Sequence, residues 1–128
     1  MVENSSGLDE GDAPPFDITK AHERLMLPKE LMRSFLSDFR DMYSSIVNDI
    51  EKLLSDGQTE NAGDLIHTFK GVSGTLGITE VYKVVEALEL AFLDGRDKDV
   101  TANLELLDGR MTSLLVEINQ YLSEFTSE

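Results

Sequence analysis

The stretch TENAGDLIHTFKGVSGTLG spans residues 59 to 77 and has the pattern of an amphipathic helix. Its larger apolar residues recur at intervals of three or four, which is the spacing along one side of an α-helix. Glycine commonly follows the last turn of a helix, because it adopts the left-handed conformation without strain. We therefore predict a helix from Thr59 to Leu76 that ends at Gly77. Its core-facing side carries Leu65, Phe69, Val72 and Leu76.

The opposite side of this predicted helix carries one histidine surrounded by glycines. At about 100° per residue, three glycines lie within about 40° of His67, and one lysine lies within about 60° of it. Each glycine inside a helix costs about 0.5–1 kcal/mol relative to alanine. We interpret the missing side chains as room for a large partner to reach the imidazole. The glycines are Gly63, Gly71 and Gly74, and the lysine is Lys70.

An exposed imidazole next to a cation suits phosphoryl transfer. Imidazole is a good nucleophile at neutral pH, because its neutral form carries a free lone pair, so we expect no additional base to activate His67. The ammonium group of Lys70 would attract a doubly charged phosphoryl group on that ring. Because phosphoryl transfer needs mainly alignment and charge stabilisation, we expect Mg²⁺ and its acidic pocket to come from a partner.

The composition excludes several classes of function. The chain has 128 residues with 25 acidic and 11 basic side chains, which gives a net charge of −14. This balance argues against binding to nucleic acid, which needs basic side chains, and against docking on anionic membranes. With no cysteine and two histidines, we expect no metal site and no resident cofactor. The sequence has no secretory signal pattern and no apolar run near the ~18 residues of a membrane span, so we expect a cytoplasmic protein.

The amino-terminal part of the chain differs from the rest. Residues 1–15 contain acidic residues, serine, glycine and proline but no basic residue, so we predict a flexible acidic tail or linker. We predict one domain over residues 16–128. Asp17 suits the N-cap of a short helix, and Pro28 suits the first turn of a second helix that continues to Leu54. The buried stripe of that second helix is predicted to contain Leu31, Phe35, Phe39, Met42, Ile46, Ile50 and Leu53.

Two further helices are predicted after Gly77. One begins at Thr79 and ends before Asp94-Gly95, and the other begins between Asp97 and Asp99. Four long amphipathic helices with short connections predict an all-α fold, an antiparallel up-down four-helix bundle with a short N-terminal capping helix. The inward side chains are predicted to be Val81, Val84, Leu88 and Ala91 in the first of the two, and Leu104, Leu107, Met111, Leu114, Ile118, Tyr121 and Phe125 in the second.

The segment from His67 to Gly77 resembles the signature of histidine-containing phosphotransfer (HPt) domains. The similarity consists of the histidine, a lysine three residues later, a glycine after that lysine, and a run of small residues that ends in Leu-Gly. Asp56-Gly57 upstream and Leu88-Glu89-Leu90-Ala91 downstream are similar to the family pattern at comparable distances. Gly63 departs from that pattern, because longer helix-forming residues are common there. The resemblance implies a four-helix phosphotransfer bundle.

The resemblance also implies a role for each residue around the histidine. His67 would accept a phosphoryl group from an aspartyl phosphate on a response-regulator receiver domain and relay it to another receiver. Lys70 would stabilise the phosphoryl group, while Gly71 and Gly74 would give the receiver access. Such a domain is a phosphocarrier without a kinase site of its own, and Mg²⁺ is expected on the partner receiver. A hybrid sensor histidine kinase is a further candidate partner.

Two alternatives stay open at this point. The run from Gly71 to Gly77 also resembles the phosphoacceptor domain of chemotaxis-type histidine kinases, in which the donor is a kinase domain of the same chain. The other alternative is a helical bundle that binds a receiver without transferring phosphate, which the presence of His67 and Lys70 disfavours. The sequence contains no glycine-rich nucleotide loop, so the protein should not label itself with ATP. We expect a monomer, because one core uses the apolar stripes and the acidic surface repels other copies.

Overall fold

Five helices and no strand make up the part of the chain that a computed structural model describes, which is residues 26–126, with side chains to residue 124. The predicted tail over residues 1–15 and the predicted capping helix lie outside the described residues. Consecutive helices contact each other from the second to the fifth, and the first packs on the fifth. The helices are α1 (Lys29–Tyr43), α2 (Ile46–Ser55), α3 (Thr59–Leu76), α4 (Thr79–Leu93) and α5 (Asp97–Thr126).

The helix predicted from Pro28 to Leu54 is interrupted, so that part of the prediction was wrong. The structure has two helices here, α1 and α2, separated by Ser44 and Ser45. Ser45 has φ −108° and ψ 22°, outside the α-helical region. Serine side chains compete for backbone hydrogen bonds, and serine pairs are frequent sites of helix breaks. Together α1 and α2 occupy the place of one helix, so the described chain is the predicted all-α four-helix bundle.

Glycines end three of the helices, at Gly77 and Gly95 as predicted and also at Gly57. Gly57, Gly77 and Gly95 follow α2, α3 and α4 with φ of 79°, 76° and 71°, the left-handed region that side chains with a Cβ avoid. After α3, the N–H of Ile78 donates to the carbonyl of Ser73 at 3.0 Å, which closes the helix end. The short turn that results returns α4 along α3 in the opposite direction, so side chains of the two helices meet.

The core-facing sides predicted for α4 and α5 are confirmed. All four predicted residues of α4 are buried, and five of the seven predicted for α5 are buried, while Tyr121 is half-buried. The side chain of Phe125 lies outside the described part. Burial of aliphatic side chains contributes about 1.5–3 kcal/mol for each, so this interface is a main source of stability. The buried residues are Val81, Val84, Leu88, Ala91, Leu104, Leu107, Met111, Leu114 and Ile118.

The buried side of α1 is only partly the predicted one. Phe39 is buried as predicted, but Leu31, Phe35 and Met42 are 52%, 46% and 65% exposed. The residue that follows each of these three is buried instead, so the buried side is turned from the prediction by less than the ~100° of one residue. Both sides of α1 have apolar residues at helical spacing, and the periodicity alone does not say which side packs on the bundle. The core residues of α1 are Met32, Leu36, Phe39 and Tyr43.

Three aromatic rings join α1 to the back of α3. The ring centroids of Tyr43 and Phe69 lie 4.9 Å apart, and those of Phe39 and Phe69 lie 5.9 Å apart. Both separations fall in the range of favourable aromatic pairs. Phe69 is fully buried, and His67 lies about 200° from it around the helix. Packing of Phe69 therefore turns the histidine toward the outside of the bundle.

Candidate functional site

His67 lies near the middle of α3, on the side that faces away from the bundle core. Its side chain is 71% exposed. The helix is held from behind by Phe69 and by Ile66, both of which are fully buried. The imidazole is therefore exposed to solvent on a helix whose other side is buried in the core, as the sequence predicted.

Glu89 of α4 contacts both the histidine and the lysine. Its Oε2 lies 2.8 Å from His67 Nδ1, and its Oε1 lies 2.8 Å from Lys70 Nζ. The Glu89 side chain is 14% exposed and that of Lys70 is 26% exposed, so both contacts are partly shielded from water. A carboxylate shared between two donors at this distance forms charge-assisted hydrogen bonds. The two predicted site residues are thus joined by a third residue from the next helix.

The electrostatics of this cluster keep the carboxylate ionised. The hydrogen bond from Lys70 is the main factor that lowers the pKa of Glu89, and the hydrogen bond from His67 adds to it, while burial opposes both. The same contact with Glu89 raises the pKa of Lys70. At neutral pH the pair is therefore a carboxylate and an ammonium ion.

The ionised carboxylate determines which nitrogen of His67 is free. A carboxylate only accepts hydrogen bonds, so Nδ1 carries the hydrogen and donates it to Glu89. In the neutral ring, the lone pair is then on Nε2, which points away from that contact. The arrangement presents one defined nucleophilic nitrogen on an exposed ring.

The three glycines near His67 have different surroundings. A Cβ atom placed on Gly71 would have no neighbour within 4 Å, so the surface there is open. A Cβ on Gly74 would lie 3.1 Å from the ring of Tyr82, and one on Gly63 would lie 2.8 Å from the ring of Phe92. Open space of the kind expected for partner access is thus present at Gly71, whereas at Gly74 and Gly63 an aromatic ring of α4 fills it.

An apolar groove of about 550 Å³ begins next to Gly71 and runs between α3 and α1. Its walls include the exposed side chains of Phe35 and Met42 from α1, and Val72 from α3. We call this surface, together with Gly71 and Thr68, the α1–α3 groove. Contiguous exposed apolar surface on a small domain commonly marks an interaction site.

Glu89 is the residue to which sequence reasoning gave no role. Leu88-Glu89-Leu90-Ala91 entered the prediction only through its family resemblance. The carboxylate of Glu89, 2.8 Å from Nδ1, is a hydrogen-bond acceptor that the sequence did not predict. The sequence did contain a signal for Glu89, which is an acidic residue among the apolar residues of α4. A partly buried acid normally has a partner, so a partner for Glu89 was to be expected.

Two kinds of feature are not found in the part of the chain that is described. Within residues 26–126 no group of three or more His, Cys, Asp or Glu side chains is arranged to hold a metal ion. None of the helices in that range is long and apolar enough to cross a membrane.

Comparison with known families agrees with this geometry. The model of the Hpt domain family matches residues 34–127, which is about three quarters of the chain and includes α2, α3, α4 and α5 entirely. The chain belongs to the Hpt domain family. Hpt domains are histidine phosphotransfer modules that act as phosphocarriers rather than as catalytic enzymes, and they interact with receiver domains in phosphorelays. No curated protein and no solved structure matches the chain significantly.

Proposed function

We propose that this Hpt domain accepts a phosphoryl group on Nε2 of His67 from the aspartyl phosphate of one receiver domain and relays it to the aspartate of another. In the first step the Nε2–P bond forms while the P–O bond of the aspartyl phosphate breaks, and the aspartate leaves as a carboxylate. The second step is the same exchange in reverse, on a different receiver. We further propose that the module acts as a cytoplasmic monomer.

The observation that carries this proposal is the shared carboxylate. Nδ1 of His67 donates a hydrogen bond to Oε2 of Glu89, and the two atoms lie 2.8 Å apart. This leaves Nε2 as the nucleophile, on a side chain that is 71% exposed. A nucleophile oriented by a second group is the usual arrangement for covalent transfer. In the neutral ring no proton has to move when Nε2 attacks, because the hydrogen is on Nδ1.

The same contact supports the second transfer. After phosphorylation the ring carries a positive charge, since Nδ1 keeps its hydrogen while Nε2 is bonded to phosphorus. Glu89 stabilises that charge through its hydrogen bond. When the next aspartate attacks phosphorus, neutral imidazole leaves directly. The phosphoryl group on Nε2 can therefore be transferred to the next receiver.

Lys70 has a second task once the phosphoryl group is present. In the free protein its ammonium group contacts Glu89 at 2.8 Å. A phosphoryl group on His67, three residues before Lys70 on the same side of α3, offers a competing anion. At about 4 Å that attraction is worth ~1 kcal/mol in water and a few kcal/mol at a partly shielded surface. The receiver supplies the remaining charge stabilisation through its own Mg²⁺.

The α1–α3 groove is proposed as the receiver docking surface. It adjoins Gly71, where a Cβ atom would have no neighbour within 4 Å. A receiver that placed apolar side chains against Phe35 and Met42 would therefore lie beside His67. Burial of this apolar surface would supply affinity, and the open backbone at Gly71 would let the aspartyl phosphate approach the ring.

Transfer from a phosphorylated receiver tests the proposal. The protein is mixed with a ³²P-labelled receiver and Mg²⁺, and label on the Hpt domain is measured together with its acid lability and base stability. We expect label on the wild type and none on His67→Gln. Lys70→Ala should be labelled more slowly although it folds, while Lys83→Ala, an exposed lysine of α4, should match the wild type. An unlabelled wild type, or full label on His67→Gln, would exclude the proposal.

A bulky side chain at Gly71 separates docking from chemistry. Gly71→Leu should slow labelling by a receiver while labelling by a small phosphodonor such as acetyl phosphate is less affected. Gly109→Leu in α5 is the matched control, because a Cβ there also has no neighbour within 4 Å. Equal losses with both donors would contradict the role of Gly71 in access. Label from ATP alone is not expected.

A further inference from the structure

Two glycines of α3 each lie beneath an aromatic ring of α4. A Cβ atom on Gly63 would lie 2.8 Å from Cε2 of Phe92, and one on Gly74 would lie 3.1 Å from Cε1 of Tyr82. Real Cβ contacts are almost never as short as the first distance and rarely as short as the second. The two rings therefore occupy space that only glycine leaves free.

The His67–Glu89–Lys70 cluster lies between these two ring contacts. Because α3 and α4 run in opposite directions, Gly63 is opposite Phe92, His67 is opposite Glu89, and Gly74 is opposite Tyr82. The ring contacts thus flank the carboxylate on both sides along the helix pair. A ring seated on a glycine allows two helix backbones to approach more closely than a side chain with a Cβ would.

We propose that Gly63 with Phe92, and Gly74 with Tyr82, are positioning contacts that hold α4 close enough to α3 for Glu89 to bridge His67 and Lys70. None of these four residues is proposed to touch the phosphoryl group. They act through Glu89, which orients the imidazole. The consequence for transfer rests on the proposed function, whereas the effect on the orientation of the ring does not.

The geometry leaves Glu89 little tolerance. Both of its hydrogen bonds are 2.8 Å long, and a separation beyond about 3.5 Å is no longer a hydrogen bond. A Cβ at either glycine would force the opposing ring to shift by a few tenths of an ångström or more. Where α4 shifts with its ring, the Glu89 carboxylate moves too and loses contact with one of its two donors.

Gly63 and Gly74 therefore differ from a helix glycine that has no neighbouring side chain. Gly109 lies inside α5, and a Cβ there would have no neighbour within 4 Å. It provides a matched control, because Gly109→Ala makes the same chemical change in a helix without touching α3 or α4.

The experiment uses the full isotope-labelled chain in solution. The tautomer of His67 is read from its ring ¹⁵N shifts, and the pKa of Glu89 from its carboxyl ¹³C shift during a pH titration. The rate of labelling by acetyl phosphate is measured on the same samples. For Gly63→Ala and Gly74→Ala we expect a smaller share of the Nδ1–H tautomer, a Glu89 pKa closer to its ordinary value, and labelling slower by roughly tenfold. Gly109→Ala should match the wild type in all three.

Double variants separate positioning from general loss of structure. Gly63→Ala with Phe92→Leu, and Gly74→Ala with Tyr82→Leu, remove the ring that the new Cβ would meet. Both should recover the wild-type tautomer and labelling rate. Thermal unfolding of every variant shows that it folds, and if one single variant does not, the other single variant and both double variants carry the test.

Three results overturn the inference. These are an unchanged tautomer and Glu89 pKa in both alanine variants, a failure of the double variants to restore them, or the same changes in Gly109→Ala. The tautomer and the pKa are read without a phosphodonor. A wild type that accepts no phosphoryl group would therefore refute the proposed function while leaving the positioning inference standing.

Discussion

At the scale of single residues, the function proposed for His67 depends on the carboxylate of Glu89. Replacing it in Glu89→Gln removes the negative charge that would stabilise a phosphorylated, positively charged ring. A hydrogen bond to a charged group contributes about 1.5–3 kcal/mol, so we predict that labelling of His67 by acetyl phosphate slows by roughly tenfold or more. The rate is measured by the appearance of acid-labile label over time.

Glu105→Gln is the matched control for this prediction. Glu105 is exposed on α5, so the same change of charge occurs away from the imidazole. The control should label at the wild-type rate. If Glu89→Gln labelled as fast as Glu105→Gln, the carboxylate at Nδ1 would have no part in the reaction.

The sequence predicted a site at His67 and Lys70 but gave no role to Glu89, and the reason is physical. His67 and Lys70 belong to one helix, and helix geometry places residues three apart on the same side whatever surrounds them. Whether residue 89 lies opposite residue 67 depends on the turn at Gly77 and on how α4 packs along α3. That information is in the packing of two helices and not in the periodicity of either.

At the scale of helices, the same reasoning explains the glycines of α3. The angles around the helix correctly place Gly63, Gly71 and Gly74 near His67, but they do not say which side of the histidine a neighbouring helix covers. In the structure α4 covers the side with Gly63 and Gly74, and the side with Gly71 is open. The exposed apolar side of α1 was missed for a similar reason, since either of its two apolar sides could have packed on the bundle.

That exposed side of α1 leads to a prediction about partner specificity. Met42 is 65% exposed on the wall of the α1–α3 groove, so Met42→Asp places a charge where we expect apolar side chains of a receiver. Burying an unpaired charge is costly, and we predict labelling by a phosphorylated receiver slower by at least about tenfold. Labelling by acetyl phosphate should not change, because Met42 does not touch the imidazole cluster.

Val116→Asp is the control for the groove. Val116 is 52% exposed on α5 and does not line the groove, so it should transfer like the wild type. Both variants are compared with receiver and small donor at matched protein concentrations. Equal rates of receiver transfer for Met42→Asp and Val116→Asp would show that the receiver docks elsewhere.

A glycine inside the longest helix allows a prediction about stability. Gly109 lies within α5, and a Cβ there would meet nothing within 4 Å. Alanine loses less chain entropy on folding, so Gly109→Ala should increase the free energy of unfolding by about 0.5–1 kcal/mol, measured by urea denaturation. Gly95→Ala should have the opposite effect, because Gly95 has φ +71°. A Gly109→Ala variant less stable than the wild type would contradict the reading of its surroundings.

At the scale of the whole molecule, the bundle was predictable because each long helix has a continuous apolar side. The buried residues of α4 and α5 follow directly from that pattern, and the glycine ends fix the connections. The break at Ser44 and Ser45 did not follow, since the apolar spacing continues through it. Both α1 and α2 contact α3 and α5, so the break leaves the architecture unchanged.

The ion pair between α3 and α4 makes the stability of the molecule depend on pH in a defined direction. The folded chain holds the pKa of Glu89 below its ordinary value of 4.5. The unfolded chain therefore binds the proton more readily, so this contribution to stability is complete above that value and is lost as the pH falls through the folded pKa. For Lys70 the pKa is raised above 10.5, so its contribution is complete below 10.5 and is lost as the pH rises through the folded pKa.

The difference in unfolding free energy between the wild type and Glu89→Gln isolates the acidic side of this dependence. We predict that the wild type is the more stable of the two at pH 7, where the carboxylate accepts hydrogen bonds from both His67 and Lys70. The difference should shrink as the pH falls below 4.5, the ordinary pKa of a glutamate, because protonation removes the charge that both contacts require. Urea denaturation at pH 7 and pH 3 measures it. A difference that stays constant would mean that the carboxylate does not link the two helices through its charge.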